Sequence, residues 1–525
     1  MVGDHLTIPA LLAHHHRTRG DQPALVSDDE VLTYADLDDR SRRLARGLVV
    51  AGVNKGTRVG LLMANSLDWA VAGFGVMRIG GVLVPLSTLL RPPELEAQLH
   101  IAAVSVLVAQ RQYRGRRYLD ELDTHLPGVT GVGATVARHA GLPSLRGVWA
   151  WDSMPDELAS DGLVAALEAR VNPADDLAVL FTSGSRSRPK GVIHTHGSAI
   201  RATASGLDAR CITATERLYI PMPFFWMGGF GGGLLTTLVA GATLLTESDP
   251  APGTTIAFLE RERATLFRGW PDQAARLAAD PSFATADLSS LRGGSLDAVL
   301  PATRRSGPGA RANLFGMTES FGPYCGSRLD TDLPEAERGS CGQPFEGMEV
   351  RITDPDTGTT LGVDEQGMIE LRGPNLMRGC CGRGRDDTFT PDGYYRSGDL
   401  GRLDGAGYLF FSGRVDDMFK VSGATVYPSE VEAALRMIGF VRQAYVTDVT
   451  DDAGNQTVGA VVVLADDHPV TELAAEARKR LSSFKVPRRW VLASTVDEVP
   501  MLSTGKVDKA GLQALITSNG TQEPH

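Results

Sequence analysis

The sequence contains few cysteines and no long apolar run. Its 525 residues include five cysteines, an odd number scattered along the chain. This usage argues against a disulfide framework and favours a reducing compartment. No apolar run approaches the roughly 20 residues that a membrane-spanning helix needs, and the first residues lack the basic start and apolar core of a secretion signal. We therefore expect a cytoplasmic protein without a transmembrane segment.

The sequence also lacks an excess of positive charge. Its 52 Lys and Arg residues stand against 63 Asp and Glu residues, which gives a formal net charge of −11. A field of this sign repels polyanions. Nucleic acid is therefore not expected as a partner, and any phosphate site must be a local feature.

The order of apolar segments indicates a large α/β domain followed by a smaller one. At this length, two or three domains are expected. Helical spacing after Thr33 and over 69–79 alternates with buried strands near 82–86, 177–182, 218–221 and 242–246, a rhythm typical of parallel sheets flanked by helices. Beyond about 340, short segments separated by turns indicate antiparallel sheet. After Ser429, a helix, two strands, a helix over 471–482 and a last strand form an α+β unit.

One loop combines hydroxyl groups and cations directly after an apolar strand. It spans Leu180 to Gly191 and reads LFTSGSRSRPKG. Backbone N–H groups and cationic side chains in such a turn suit a phosphate group. The loop is not a P-loop, because no Gly-Lys-Ser/Thr closes it. Taken alone, it is equally consistent with a solvated basic turn.

Several separately spaced segments together resemble the acyl-adenylate-forming enzyme superfamily, which includes acyl- and aryl-CoA synthetases, luciferases and peptide-synthetase adenylation domains. The loop is similar to that family's phosphate-binding loop, and further motifs follow in order: NLFGMTES (313–320), YRSGDLG (395–401), SGRVDDMFKVSG (412–423) and LSTGKVDK (502–509). The resemblance covers nearly the whole chain. It implies a large domain over 1–414 that contains parallel sheets and a distorted antiparallel β-barrel portion, with a small α+β domain over 415–525.

The resemblance implies an ATP site built on the loop. The residues that would bind the phosphates are Thr182, Ser183, Gly184, Ser185, Arg186 and Lys190. At 185–187 the sequence Ser-Arg-Ser replaces the family's usual Thr-Thr-Gly. The exchange retains a hydroxyl group and adds a cation, and the loss of a glycine stiffens the loop.

The remaining motifs imply the other contacts of the nucleotide. Glu319 would hold Mg²⁺, which binds few protein oxygens, and Thr318 would contact the α-phosphate. Phe315 would stack on adenine, where only the ring is required. RGGSL (292–296) would form the turn beside adenine and the acyl group through Gly293 and Gly294.

Five residues near or within the small domain complete the set. By the resemblance, Asp399 binds the ribose hydroxyls, and Arg414 makes a second ribose or phosphate contact. Asp416 is expected to be the hinge, while Lys420 belongs to the segment presented for the second half-reaction. Lys506 would stabilise the negative charge of adenylation, which is electrostatic catalysis.

The acyl pocket is expected around PFFWMGGFGGG (223–233). Its predicted residues are Phe225, Trp226, Gly229 and Gly322. Peptide-synthetase domains place an Asp beside this motif for a substrate ammonium. None stands here, so an amino acid is disfavoured because a buried ammonium would lack a partner. The glycines of 228–233 are expected to leave room for a bulky or extended apolar acid.

The sequence therefore predicts an ATP-dependent carboxylic acid:CoA ligase that forms an acyl-AMP intermediate and requires ATP, Mg²⁺ and CoA. The acid would be medium-chain, aryl or polycyclic. One alternative keeps the adenylation and passes the acyl group to a carrier protein or an amine. The other is a nucleotide-binding homologue without catalysis. A homodimer is compatible with the sequence, although nothing in it selects an oligomeric state.

Overall fold

The computed structural model describes residues 5–133, 138–154, 157–183, 189–307, 309–417, 419–421, 424–450, 456–502 and 507–522, with the backbone alone at 183, 272, 416, 420, 424, 425 and 522. By their packing, the residues form two compact units. The first comprises Met1–Val350, Leu371–Tyr395 and Gly407–Leu409, and the second comprises Arg351–Glu370, Arg396–Ala406 and Phe410–His525.

A seven-stranded sheet carries the first unit. Its strands lie in the order Gly379–Cys380, Pro189–Thr195, Asp176–Ser183, Val82–Pro85, Arg58–Leu62, Val106–Ala109 and Gly147–Ala150. The last five run parallel, and the first two add antiparallel pairings at one edge. The strand at 82–85 is buried at every position, as expected of parallel strands covered on both faces.

A five-stranded sheet forms the second layer of the same unit. Its order is Leu266–Phe267, Arg217–Tyr219, Thr243–Thr246, Pro23–Ser27 and Glu30–Thr33. The first four strands are parallel, and the last pairs antiparallel as a hairpin. Parallel strands bring their carboxyl ends to one edge of the sheet, where ligands commonly bind.

Helices fill the space around these two sheets. They span Ile8–Arg19, Tyr34–Val50, Leu67–Arg78, Pro92–Ile101, Tyr118–His125, Asp161–Glu168, His196–Ser205, Met227–Gly229, Thr236–Ala240, Pro252–Arg261 and Pro271–Ala278, with a π-helical segment at Phe230–Leu235. The helix that begins at Tyr34 is capped by Thr33, whose Oγ1 accepts the Asp36 N–H at 3.1 Å. It ends at Val50, and Gly52 follows with a φ of +83°, the backbone region that glycine adopts without strain.

Shorter sheets follow along the chain. Strands Phe315–Met317, Gly322–Gly326 and Gln343–Pro344 form an antiparallel sheet in the first unit, which also holds the short pair Gln112–Tyr113 and Arg116–Arg117. A four-stranded sheet has the order Glu349–Thr353, Gly367–Arg372, Tyr395–Leu403 and Leu409–Arg414. Most of its residues belong to the second unit.

The second unit has its own sheet and core. The sheet order is Val441–Thr450, Gln456–Leu464, Arg489–Ala493 and Thr521–Gln522, and a hairpin joins Phe419–Val421 to Ala424–Val426. Helices Pro428–Arg436 and Val470–Arg478 pack on the face that carries Val462. Helix Lys509–Asn519 packs on the opposite face, against Val461 and Val463. Alternate strand residues thus enter different cores, as the pleat requires.

These elements confirm the predicted fold class. The strands expected near 177–182, 218–221 and 242–246 and the helix over 471–482 are present, with ends shifted by a few residues. No helix within the described ranges combines the length and apolar character needed to cross a membrane. The boundary at 414/415 and the hinge at Asp416 stay predictions, because packing alone does not say which parts move.

A buried arginine joins three helices of the first unit. The Arg78 side chain is 1% exposed, and its Nε lies 2.6 Å from Glu168 Oε1. Its Nη2 lies 2.7 Å from Asp38 Oδ1, while Nη1 donates to the Asp38 carbonyl and to Ser41 Oγ. Since a buried charge is tolerated only with such partners, this network fixes the relative positions of helices 34–50, 67–78 and 161–168.

Replacing Arg78 with Met should lower the free energy of unfolding by about 3–5 kcal/mol, because two mostly buried carboxylates would lose their buried cation and keep only the more exposed Arg42. The unfolding transition of the first unit in urea, monitored by tryptophan fluorescence in the full chain, measures the change. Arg111→Met is the matched control, since it removes an exposed pair with Asp152 and should cost at most about 1 kcal/mol. Equal effects of both substitutions would contradict the role given to Arg78.

Candidate functional site

The hydroxyl- and cation-rich loop lies at the end of an antiparallel hairpin. Strands Asp176–Ser183 and Pro189–Thr195 pair in a register that sets Thr182 opposite Lys190. The two residues are therefore neighbours at the base of the loop. The predicted phosphate contacts Gly184, Ser185 and Arg186 lie outside the described residues, and at Ser183 only the backbone is described.

Lys190 contacts two residues that are remote in sequence. Its Nζ lies 2.6 Å from Glu319 Oε1 and 3.0 Å from the Tyr395 hydroxyl. The same hydroxyl group donates to Glu319 Oε1 at 3.2 Å. The side chains of Lys190 and Glu319 are 15% and 9% exposed. The fold thus assembles a mostly buried cation, carboxylate and phenol from segments that begin at 189, 318 and 395.

Mutual attraction keeps this pair ionised. Burial alone would raise the pKa of Glu319, but the Lys190 charge, together with hydrogen bonds from Lys190 and Tyr395, outweighs burial and holds that pKa below its ordinary value. Burial likewise opposes the charge on Lys190, yet Glu319 and then Tyr395 raise the pKa of this lysine above its usual range. Burial, followed by the Glu319 charge, raises the pKa of Tyr395 to about 12. The phenol is therefore a neutral hydrogen-bond donor.

A tight turn positions Thr318 and Glu319. They lie in the 3-10 helix Thr318–Ser320, between strands Phe315–Met317 and Gly322–Gly326. Phe321 adopts a φ of +54° and Gly322 a φ of +103°. A Cβ on Gly316 would come within 2.1 Å of the Gly322 carbonyl oxygen. Only glycine at 316 lets the two strands approach this closely.

Two hydrogen bonds fix the main chain of this turn. The Thr318 carbonyl accepts from His194 Nε2 at 2.7 Å, and the Glu319 carbonyl accepts the Met377 N–H at 2.8 Å. Burial lowers the pKa of His194 to about 4, so its imidazole is neutral near pH 7. The ring also packs edge-on against Phe321, with centroids 4.9 Å apart. His194 therefore positions the turn and is not a charged member of the site.

The predicted adenine-side residues lie on turns and strands of the first unit. The Phe315 ring packs edge-on against Tyr324, with centroids 5.7 Å apart. Gly294 has a φ of +93°, so the predicted Gly293–Gly294 turn requires glycine at its second position. Stacking of Phe315 on adenine stays a prediction.

Aromatic rings cluster at the predicted acyl pocket. Phe225 and Trp226 have centroids 5.4 Å apart, and Trp226 also meets Trp270 at 5.8 Å. The glycines that follow are expected from the sequence to leave room for the acid, and at two of them the structure shows otherwise. A Cβ on Gly228 would meet Met222 Sδ, and one on Gly229 the Pro223 carbonyl oxygen, each at 2.1 Å. At these two positions, the missing side chains permit close packing of the chain and do not create free volume.

The predicted ribose contacts form an ion pair in the second unit. Arg414 Nη1 lies 2.9 Å from Asp399 Oδ1, and the Asp399 N–H donates to Ser397 Oγ at 3.0 Å. Asp416 is the middle residue of the 3-10 helix Val415–Asp417, and Lys420 lies in strand Phe419–Val421, with the backbone alone described at both. Lys506 lies outside the described residues.

Sequence reasoning missed Tyr395 and His194. Tyr395 opens the same YRSGDLG segment that supplied Asp399, and a phenol four residues before a functional carboxylate was the available signal. His194 lies in strand Pro189–Thr195 among buried residues, and its spacing from Lys190 placed both side chains on one face of that strand. Neither signal indicated that Tyr395 and His194 lie next to the turn that carries Glu319.

Lys190→Met should lower the free energy of unfolding by about 3–5 kcal/mol at about pH 8, because it leaves the Glu319 carboxylate buried without a cation. In this variant, the Lys190 charge no longer offsets burial, so the pKa of Glu319 should rise above its ordinary value. The loss should then shrink as the pH is lowered from about 8 to about 5.5, because a raised pKa favours protonation of the buried carboxylate in the folded variant. Thermal unfolding at the two pH values measures both effects.

The double substitution Lys190→Met/Glu319→Gln is the control for this pair. It removes the cation and the carboxylate charge together, so it should cost only about 1 kcal/mol and show little dependence on pH. A double variant that is less stable than Lys190→Met alone would contradict the ion-pair explanation.

Comparison with known proteins places this site in a family. Residues 12–380 match the family model "AMP-binding enzyme", and 430–506 match "AMP-binding enzyme C-terminal domain". A methyl-dioxo-octahydroindenyl-propanoyl:CoA ligase of Mycobacterium tuberculosis is 32% identical over 98% of this chain and 100% of its own. A feruloyl-CoA synthase of an Amycolatopsis species is 33% identical over 91% and 92%.

A solved structure has the same fold over its full length. The anthranilate CoA ligase AuaEII, in complex with anthranoyl-AMP, superposes with a TM-score of 0.78 at 23% identity and covers 97% of each chain. The family models together match both the large sheets and the small C-terminal sheet described above. The chain belongs to the family of AMP-binding enzymes.

Proposed function

We propose that this chain is an ATP-dependent carboxylic acid:CoA ligase. The carboxylate of the acid attacks the α-phosphorus of ATP, which gives acyl-AMP and expels pyrophosphate. The CoA thiol then attacks the acyl carbon, loses its proton and displaces AMP, so that a thioester forms. Relatives that span more than nine-tenths of the chain are named as CoA ligases. The observation that carries the proposal is the Lys190–Glu319–Tyr395 cluster beside the loop of an AMP-binding enzyme.

The cluster suits the polyphosphate end of ATP. Lys190 supplies a cation at the base of the loop, and its charge is maintained by Glu319. A preorganised cation in a mostly buried site stabilises developing phosphate charge without reorganisation. The Thr318 hydroxyl would contact the α-phosphate, and Tyr395 holds Lys190 and Glu319 in place. Asp399 would bind the ribose hydroxyls with Arg414.

Glu319 fits a magnesium ligand. Lys190 and Tyr395 both contact its Oε1, so neither side chain occupies Oε2. The lowered pKa keeps the group ionised, as a hard cation requires. When bound, Mg²⁺ would supply charge neutralisation at the phosphate oxygens.

An apolar ring-bearing acid is the favoured substrate class. Phe225, Trp226 and Trp270 offer aromatic surface at the predicted pocket. The relatives are named for a propanoyl group on a bicyclic ring and for a feruloyl group. The cytoplasmic location and the possibility of a homodimer stay predictions from the sequence.

The acceptor can be tested directly. With ATP, Mg²⁺ and a panel of aryl and alicyclic acids, the protein should release pyrophosphate, and CoA should accelerate AMP formation while the acyl-CoA accumulates. Coupled pyrophosphate detection and chromatography of the thioester provide the two readouts. AMP formation that is no faster with CoA than without it, or faster with an amine or a carrier protein, would contradict the choice of CoA.

Lys506→Ala separates the two half-reactions. The predicted role requires the Lys506 cation only while negative charge develops on the α-phosphate, so adenylation should fall by about a hundredfold or more. Thioester formation from supplied acyl-AMP should persist. Lys479→Ala is the control, since this lysine of the second unit is 67% exposed and should leave both steps intact. Equal loss of both steps in Lys506→Ala would refute the role.

A further inference from the structure

Arg268 follows the edge strand of the five-stranded sheet. Strand Leu266–Phe267 ends immediately before it, and helix Pro271–Ala278 begins three residues later. The Arg268 N–H donates to the Tyr219 carbonyl at 3.0 Å, so the backbone still follows the neighbouring parallel strand. The residue thus lies at the carboxyl end of a parallel sheet, where α/β proteins bind their ligands.

The loop 268–270 touches both segments predicted to border the acid. Trp270 packs against Trp226 with centroids 5.8 Å apart. At the other end of the loop, a Cβ on Gly294 would lie 3.3 Å from Arg268 Nη2. The guanidinium group therefore packs on the Gly293–Gly294 turn, and the loop connects this turn to the aromatic cluster.

The Arg268 guanidinium is poorly satisfied by the protein. Within the part of the chain that the structure describes, its side chain makes one hydrogen bond, from Nη2 to the Arg210 carbonyl at 2.6 Å. Its Nε is enclosed and finds no acceptor among the described residues. None of the described carboxylates forms an ion pair with it. The two carboxylates whose charges act on Arg268 already form ion pairs with other residues. Asp330 pairs with Arg328, and Glu216 pairs with Arg292.

The surroundings increase this deficit. Arg210, whose carbonyl accepts the one hydrogen bond, is itself buried and donates to two carbonyl oxygens and to Thr236 Oγ1. Burial lowers the pKa of both arginines to about 10, and at Arg210 the Arg268 charge acts with burial. On the pKa of Arg268, Cys211, Asp330 and Glu216 act in the opposite direction to burial, and the Arg292 charge acts with it. By contrast, Arg78, which is 1% exposed, contacts two carboxylates. Arg268 is only partly buried, so its unused donors can reach a ligand that supplies an acceptor.

We propose that Arg268 binds a second oxygen acceptor on the acid, at the end remote from the reacting carboxyl group. This inference rests on the proposed function and narrows its substrate class. The acid is a ring-bearing carboxylic acid that carries a carbonyl or a second carboxylate. Arg268 is then a specificity-determining residue, because the unoxygenated analogue leaves its donors unpaired in the complex.

Three matched acids test this inference in the wild-type enzyme. They are 3-cyclohexylpropanoic acid, which is the plain acid, and two derivatives that carry an oxo group or a carboxy group at ring position 4. We expect at least one oxygenated acid to exceed the plain acid in kcat/KM for pyrophosphate release by about tenfold to a hundredfold. Equal kcat/KM for all three acids would overturn the inference while leaving the ligase proposal intact. Absence of pyrophosphate release and of thioester with every acid of this panel and of the wider panel would contradict the ligase proposal itself.

Substitution of Arg268 assigns the preference to its side chain. Arg268→Met should abolish the preference by lowering kcat/KM for the oxygenated acid, while kcat/KM for the plain acid changes by less than about threefold. Arg268→Gln retains a neutral donor, so it should keep a preference for the ketone and lose one for the second carboxylate. A purely structural role would lower kcat/KM equally for all acids, and that result in both variants would overturn the inference.

A control variant tests for general effects of removing an arginine. Arg305 is exposed and also donates to one carbonyl, that of Leu300, at 2.8 Å. Arg305→Met should retain the wild-type order of the three acids. Melting temperatures of all variants verify folding, and if Arg268→Met does not fold, the Gln variant and the wild-type selectivity still decide the question. Loss of the preference in Arg305→Met as well would contradict an assignment to Arg268.

Discussion

The Lys190–Glu319 ion pair is the interaction on which the candidate site depends. Each charge makes the burial of the other tolerable, since their mutual attraction offsets the loss of hydration. The pair also connects the hairpin of strands 176–183 and 189–195 to the turn that bears Thr318. Tyr395 contacts both residues through one hydroxyl group, and His194 donates to the main chain of the turn at the Thr318 carbonyl. Contacts within the protein therefore hold these four residues and the turn together.

Buried charges elsewhere in the first unit clarify what a structural ion pair looks like. Arg78 has its hydrogen bonds supplied by two carboxylates, a carbonyl and a hydroxyl group, and it holds three helices together. Among the described residues, Arg268 has one such partner for its side chain, and it lies at the carboxyl end of its parallel sheet. The contrast separates cations that complete the fold from one whose donors are available to a substrate.

Glycine served two purposes that the sequence could not distinguish. The run at 228–233 suggested free volume for an acid, yet at Gly228 and Gly229 the absent side chains let the helix approach Met222 and Pro223. Gly316 similarly permits two strands to touch at the turn that carries Glu319. Whether a missing side chain leaves a space or lets another chain fill it depends on what lies opposite, and this is a property of the tertiary structure.

The sequence by itself determined the order of strands and helices, the fold class and the spacing of the functional segments. Hydrophobic period, capping residues such as Thr33 and turn glycines such as Gly52 are local, so they can be interpreted without knowing the neighbours. Tertiary structure alone decided that Lys190, Glu319 and Tyr395 share one cluster, that His194 is neutral and that Arg268 Nε has no acceptor among the described residues. These properties follow from burial and from contacts across more than a hundred residues of sequence, where side-chain type alone predicts neither the partner nor the local dielectric environment.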